Sequence, residues 1–312
     1  MVKTITIAIL ILFCVRHGSS AESMGCTGYK MSPEKTKYFV LEVNSKDYKT
    51  VHVKLNGDKI YGINLEIELY NLKYKQQSLI LFSVLSSRSK PSWKPIRLHE
   101  ITPNLIDFDS LKALLERRFS AYNNSGGYDT DQIKTQDIKL IIKRDDQYFI
   151  AENSLLEYFK IIEQDLVFPN SMGNAFINIK SPLITVKEFE DKYKLAYKEN
   201  SPNAFVSKKI SGNTSLLTPL QKPLLFMSGS STLFGHQLYN FWQFNSWPYA
   251  DSSNSQRGID RFAYDPALGI IGGSFDAWIS WNYRIDANVI HSNYIQEKII
   301  LPASIKDIVV YH

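Results

Sequence analysis

The alternation of hydrophobic and polar positions predicts two adjacent antiparallel strands early in the chain. In VHVKLNGDKIYGINLEIELY, Val51, Val53 and Leu55 alternate with polar residues, a period of two that is typical of a strand with one buried face. The dipeptide Asn56-Gly57 follows, and it favours the positive φ angles of a tight turn. We therefore predict a hairpin here, preceded by a strand in KYFVLEV (37–43).

Longer apolar runs and helical spacing predict the next elements. The run SLILFSVL (78–85) indicates a buried strand, and IKLIIK and QYFIAE indicate a second hairpin around Arg144-Asp145-Asp146. In DSLKALLERRFSAY the leucines and Phe119 fall on one helical face behind a capping Asp109. NSLLEYFKIIEQ has a similar pattern behind Asn153, which predicts a second amphipathic helix.

The second half of the chain differs from the first in composition and in its predicted elements. Residues 169–185 are rich in Pro, Asn and Ser, which predicts a linker at about 171–190 between a front domain (22–170) and a second domain (191–312). The second domain shows short strands, long loops and many aromatic residues, with one helix expected from Leu233 to Phe244. The pattern as a whole predicts an α+β fold with a β-rich second unit.

The first residues are typical of a secretory signal peptide. Lys3 precedes an apolar run from Ile5 to Val15, which is too short to span a bilayer, and Ser19 and Ala21 precede a cleavage site after Ala21. An uncleaved membrane anchor is the alternative. No later stretch is apolar enough to span a membrane, so the sequence predicts a secreted protein.

Composition narrows the classes of partner. Cleavage would remove Lys3 and Arg16 and lower the formal charge from +5 by two, and the remaining lysines are scattered, so a nucleic-acid partner is not indicated. Only Cys26 would remain as a thiol, either unpaired or paired with another chain. The sequence contains no HExxH, no paired CxxC, no calcium loop and no phosphate-binding loop, so no metal site is indicated.

Four short sequence segments in the last third of the chain resemble the motifs of one protein family. Their matching residues are Tyr197, Pro202 and Phe205, then Phe226, Ser228 and Ser230, then Tyr283, Ile285 and Asp286, and finally Pro302, Ile305, Ile308 and Tyr311. In this order residues 195–312 resemble the cholera- and pertussis-type ADP-ribosyltransferase toxin subunits. The resemblance implies successive strands, one of them in AWISWNYRIDAN, with a helix after the second segment. It also implies a catalytic carboxylate before a proline turn.

The resemblance also implies roles for individual residues. Glu297 would be the catalytic carboxylate beside the ribose of NAD, the substrate, while Ser228, Ser230 and Gln296 would bind NAD and Lys198 would hold its phosphates. A host protein would accept the ADP-ribose. The chain departs from the family at three places. Lys198 replaces the family's arginine, and Gly229 replaces its central threonine. Gln296 and Glu297 are adjacent, whereas one residue separates the corresponding pair in the family. Arg284 is an alternative cation.

Two function classes follow. The first is an exported toxin or effector, a virulence-type transferase acting on a host protein. The second is a non-enzymatic secreted binding module, such as an adhesin or a carbohydrate- or receptor-recognition protein, including a degenerate transferase fold. The aromatic cluster from Tyr239 to Tyr249 could belong to the core or form a patch that contacts sugars or a membrane. Glu297 could be the catalytic carboxylate or a solvated residue at a strand edge.

Overall fold

Three β-sheets and five α-helices occur in the computed structural model, which describes residues 36–88, 92–124, 133–166, 173–197, 224–244 and 258–311. The strands are β1 (Lys37–Val40), β2 (Lys49–Asn56), β3 (Glu66–Tyr74), β4 (Ser78–Leu85), β5 (Trp93–Ile96), β6 (Leu105–Ile106), β7 (Lys134–Thr135), β8 (Ile138–Arg144), β9 (Gln147–Ala151), β10 (Ser154–Ile162), β11 (Phe176–Asn178), β12 (Leu224–Leu233), β13 (His236–Phe244), β14 (Arg261–Asp265), β15 (Gly269–Ser274) and β16 (Ile308–Tyr311). The helices are α1 (Asp58–Tyr61), α2 (Phe108–Asn124), α3 (Val186–Tyr197), α4 (Asp276–Tyr283) and α5 (Ala287–Ile295), with 3-10 turns at Leu98–Glu100, Thr102–Asn104 and Ile305–Asp307. The predicted α+β class is confirmed.

A seven-stranded central sheet carries the two main cores. Its order is β11-β10-β4-β3-β2-β16, with β7 also paired to β10. Residues on one face pack with α2 and with the five-stranded sheet β5-β9-β8-β1-β6, while residues on the other face pack with the four-stranded sheet β12-β13-β14-β15 and with α4 and α5. All eight residues of β4 are buried, because both faces of the central sheet are covered.

The elements predicted from local periodicity in the first half are largely present. β2 pairs with β3 and β8 pairs with β9, both antiparallel, so the two hairpins are confirmed. The first hairpin closes through α1 and Gly62 at φ 64° rather than through a two-residue turn. The predicted helix is α2, but its cap is Asp107, whose Oδ1 accepts from Ser110 N at 2.8 Å, and not Asp109.

Three predicted elements were wrong. NSLLEYFKIIEQ forms β10 rather than a helix, because its apolar residues serve both buried faces of the central sheet. Most of the segment 233–244 forms β13, the second strand of a hairpin with β12, and Leu233 ends β12, so no helix is present there. AWISWNYRIDAN forms α4 and the start of α5 instead of a strand.

Residues from both predicted domains share one core. Leu69 and Phe159 from the front part pack in the same cluster as Phe262 and Ile279 from the second part, and β16 pairs with β2. The region predicted as a linker contains β11 and the first residues of α3. The described residues from 36 to 311 belong to one compact unit, and one core of that unit includes side chains from both sides of the predicted boundary.

Candidate functional site

A groove of about 1360 Å³ opens beside the outer strands of the central sheet. Its lining comes from β2, β3 and β16 of the central sheet, from β5 and the end of β8 of the five-stranded sheet, and from residues 299–303. We call it the Glu68 groove. The residues that define it here are His52, Lys54, Glu68, Tyr70, Trp93, Lys143, Arg144, Leu301, Val309 and Tyr311.

Strand register brings the polar lining residues of the central sheet together. Val309 on β16 lies opposite His52 on β2, and His52 lies opposite Tyr70 on β3. Lys54 lies opposite Glu68 in the next row of the same face. Directly opposed side chains project from the same face of a sheet, so these residues form two neighbouring rows in the lining of the groove.

Glu68 is the centre of a dense hydrogen-bond network. Its carboxylate accepts from His52 Nε2 at 2.8 Å, from Tyr70 Oη at 2.7 Å and from Trp93 Nε1 at 2.5 Å. Burial alone would raise the pKa of this carboxyl, but hydrogen bonds from His52, Trp93 and Tyr70 outweigh burial and lower the pKa to about 2. Because the ionised carboxylate can only accept, His52 Nε2 carries the hydrogen.

Ring contacts hold the same residues in place. The His52 ring stacks on Tyr70 with centroids 4.3 Å apart, and Tyr70 meets Trp93 edge-on at 6.0 Å. The Arg144 guanidinium lies over the Trp93 ring, 5.0 Å from its centroid, and 3.6 Å from a Glu68 oxygen. Burial, together with the nearby Glu68 charge, raises the pKa of Tyr70, which therefore stays protonated and donates to Glu68.

This chemistry suits recognition better than proton transfer. A carboxyl group with a pKa of about 2 is ionised at neutral pH and is a weak base, so Glu68 is poorly matched to general acid–base catalysis. It instead holds His52 and Trp93 by hydrogen bonds and lies 3.6 Å from the Arg144 guanidinium. The Arg144 side chain is 46% exposed and brings its guanidinium donors to the groove.

Glu297 caps a helix. Its Oε1 accepts a hydrogen bond of 2.7 Å from the backbone N–H of Val186, the first residue of α3. Thr185 and Glu188 complete the cap, since Glu188 N donates to Thr185 Oγ1 and Thr185 N donates to Glu188. Glu297 lies in the turn after α5 at φ 52°, half-buried, so it is neither on the predicted strand nor at a solvated strand edge.

Among the predicted site residues that the structure describes, Gln296, Ser228 and Ser230 do not line the Glu68 groove. Gln296 is exposed, and its amide donates to Ser292 Oγ at 2.9 Å, back along α5. Ser228 is half-buried on β12 and donates to the carbonyl of Asn240 across the hairpin at 3.5 Å, while Ser230 is exposed. Lys198 lies outside the described residues, and Arg284 is an exposed helix end at φ 53°.

Glu297 is not joined to the predicted serines. Between residues of the described ranges, no hydrogen bond links its carboxylate to Ser228 or Ser230. β12 also continues into β13 rather than into the helix that the resemblance implies. The NAD-binding role of Glu297 and these serines therefore stays a prediction.

A second charged cluster is fully buried beneath the end of the chain. Arg261 donates to both carboxylate oxygens of Asp276, at 2.5 and 3.1 Å, and Tyr61 Oη donates to Asp276 at 2.5 Å. Arg261 Nε also donates to the carbonyl of Lys298 at 3.0 Å. Arg261 and Asp276 are both fully buried, so this cluster anchors the segment that leads into the groove rather than contacting solvent.

Sequence reasoning missed the Glu68 groove. Arg144 enters the sequence prediction only as part of a turn, and His52 is not among the predicted site residues. The sequence does contain one signal for these residues, the period of two along a strand. By this period Glu68 and Tyr70 share one face of their strand, and His52 lies on the polar face of the preceding strand. That signal places residues on a face, but it does not reveal that Trp93 and Arg144 approach them.

Comparison of the chain with protein-family models, with curated proteins and with solved structures finds no match. Over the described ranges, no group of three or more His, Cys, Asp or Glu side chains is placed to hold a metal ion. No helix in the same part of the chain has the length and apolar character needed to cross a membrane.

The cap suggests a modest effect of replacing Glu297. We expect Glu297→Gln to lower the free energy of unfolding by about 1 kcal/mol, because it removes a negative charge at a helix N-terminus. Urea denaturation would measure this change, with the exposed Gln296→Ala as control. Equal stability of Glu297→Gln and wild type would contradict the capping role.

Proposed function

We propose that the chain is an exported, non-enzymatic binding protein whose ligand occupies the Glu68 groove. The observation that carries the proposal is the Glu68 network, in which a carboxylate ionised at neutral pH holds His52, Tyr70 and Trp93 in one arrangement at a large open groove. Fixing polar and aromatic groups in advance reduces the entropy that is lost when a ligand binds.

The groove offers several kinds of contact to a ligand. Lys54, Lys143 and Arg144 supply cationic donors, Asp58 and Glu66 supply carboxylates, and Val309 and Tyr311 supply apolar surface. A site that combines a few placed polar groups with apolar surface is typical of ligand recognition. Charges of both signs favour a ligand of mixed or no net charge.

The ADP-ribosyltransferase hypothesis, with NAD as substrate and a host protein as target, stays a prediction. Glu297, the carboxylate in that hypothesis, already accepts a hydrogen bond from the N–H of Val186. Lys198, the cation in that hypothesis, lies outside the described residues. A binding function therefore has more support than the transferase function, because the polar and aromatic residues around Glu68 already lie together at one groove.

The proposal is tested by screening labelled mature protein against a glycan array and against phage-displayed decapeptides. We expect at least one probe to bind, and Arg144→Gln to weaken its binding at least about tenfold, because Arg144 is a donor at the groove with half of its side chain exposed. Lys187→Gln, on the exposed face of α3, is the matched control and should bind like wild type.

Two results would overturn the proposal. One is the absence of binding to every glycan and peptide. The other is a bound probe whose affinity is unchanged in Arg144→Gln and in Trp93→Phe, since the second variant removes the indole N–H that Glu68 accepts.

A further inference from the structure

The last strand of the central sheet has an open outer edge. β16 pairs with β2 on one side and ends the strand order of the sheet, so on its other side alternate N–H and C=O groups have no strand partner among the described residues. Natural edge strands are commonly protected by a proline, a charged residue or a bulge within the strand. The sequence of β16, IVVY, contains none of these, and its pairing with β2 is regular.

Exposed apolar side chains occur on β16 and in the segment that leads into it. Val309 is 38% exposed, Leu301 is 39% exposed, and Ile305, in the 3-10 turn before β16, is 49% exposed. Val309 and Leu301 also line the Glu68 groove. The open strand edge and the groove are therefore parts of one continuous surface.

We propose that β16 captures an extended polypeptide segment as an added strand, whose alternate side chains enter the Glu68 groove. This inference rests on the proposed function and names the class of ligand. The backbone of the segment would complete the hydrogen bonds of the β16 edge, and its side chains would provide selectivity, as in other cases of strand addition.

The pleat of the sheet predicts what such a segment looks like. Residues two apart on a strand lie about 7 Å apart on the same face, so two successive groove-facing side chains would lie beside Val309 and Tyr311. Both of these residues are apolar or aromatic at the groove surface. The segment is therefore expected to carry apolar residues at alternate positions.

An extended peptide fits this surface better than a second copy of the chain. β16 contains four residues, and pairing of four residues with their copy buries far less than the roughly 1,000 Å² of a stable interface. A narrow extended segment can follow the edge and fill the groove at the same time. It can thus use both parts of the continuous surface.

The test uses one soluble decapeptide selected by phage display on the mature protein, together with two N-methylated forms of it. One form is methylated at the odd residues and the other at the even residues. An added strand turns only every second N–H towards β16, so we expect one form to bind at least about tenfold more weakly and the other to bind like the parent. Equal affinity of the two forms would overturn the inference.

A protein variant gives an independent readout. Val309→Glu places a charge at the groove edge and should weaken peptide binding at least about tenfold, whereas Leu183→Glu, at a side chain that is 60% exposed, is the matched control and should not. If Val309→Glu fails to fold, the comparison of the N-methylated forms decides.

The outcomes separate this inference from the proposed function. If no peptide is selected but a glycan binds and is lost in Arg144→Gln, the strand-addition inference fails and the proposed function stands. If neither a peptide nor a glycan binds, both fail.

Discussion

Replacing Asp276 by asparagine is expected to lower the free energy of unfolding by about 3–5 kcal/mol, the largest effect that we predict. Asp276 and its partner Arg261 are both completely buried, and two hydrogen bonds join them. The asparagine leaves the Arg261 guanidinium without a counter-charge in a site that water does not reach. Tyr61, which also donates to Asp276, loses a charged acceptor.

The same change should disturb the groove at a distance. Arg261 Nε donates to the carbonyl of Lys298, and residues 299–303, which follow directly, line the Glu68 groove. We therefore expect Asp276→Asn to weaken probe binding even at temperatures at which the variant remains folded.

Urea denaturation followed by circular dichroism measures the stability change. The matched control is Asp191→Asn, which breaks the Lys187–Asp191 ion pair on the surface of α3, where the two side chains are 69% and 57% exposed. That control should change stability by less than about 0.5 kcal/mol. A loss below about 1 kcal/mol in Asp276→Asn would contradict the account of this cluster.

The second large effect is expected at Glu68. At pH 7, Glu68→Gln should lower the free energy of unfolding by on the order of 3 kcal/mol, since the carboxyl pKa is about 2 against an ordinary 4.5 and each pKa unit corresponds to about 1.4 kcal/mol. The side chain is only 16% exposed, so screening by solvent is limited. The amide also places an NH₂ group among the donors of His52, Tyr70 and Trp93.

The pH dependence of this effect has a defined sign. Because folding lowers the pKa of Glu68, the stabilisation is fully present above about pH 4.5 and is lost as the pH falls towards 2. The unfolding free energies of wild type and Glu68→Gln should therefore converge over that interval. Glu66→Gln, at an exposed neighbour on the same strand, is the control, and a Glu68→Gln deficit that stays constant from pH 7 to pH 2 would contradict the assignment.

Local periodicity predicted the elements whose burial follows one simple pattern. α2 has one buried stripe that includes Leu111 and Leu115, and in β2 the apolar residues Val51, Val53 and Leu55 share one face. Burial on both faces still allowed a correct strand prediction for the mostly apolar β4, but not for β10. β10 contains Leu155 on one face of the central sheet and Leu156 on the other, and this continuous burial mimics the apolar spacing of a helix.

The site depends on contacts that local sequence does not encode. His52, Glu68, Trp93 and Arg144 come from β2, β3, β5 and β8, and only strand register and the packing of two sheets bring them together. The sequence did single out Glu297 as an unusual carboxylate. Its partner is a helix N-terminus more than a hundred residues earlier in the chain, and that helix had not been predicted.

We expect ligand binding in the Glu68 groove and not around Glu297. Hydrogen–deuterium exchange of the mature protein, with and without a selected peptide or glycan at saturation, tests it most directly. Binding in the groove should slow exchange in β2, in β5 and in β16 and leave exchange unchanged at Val186 and in β12. Protection at Val186 and in β12, with none in β2 or β16, would contradict it.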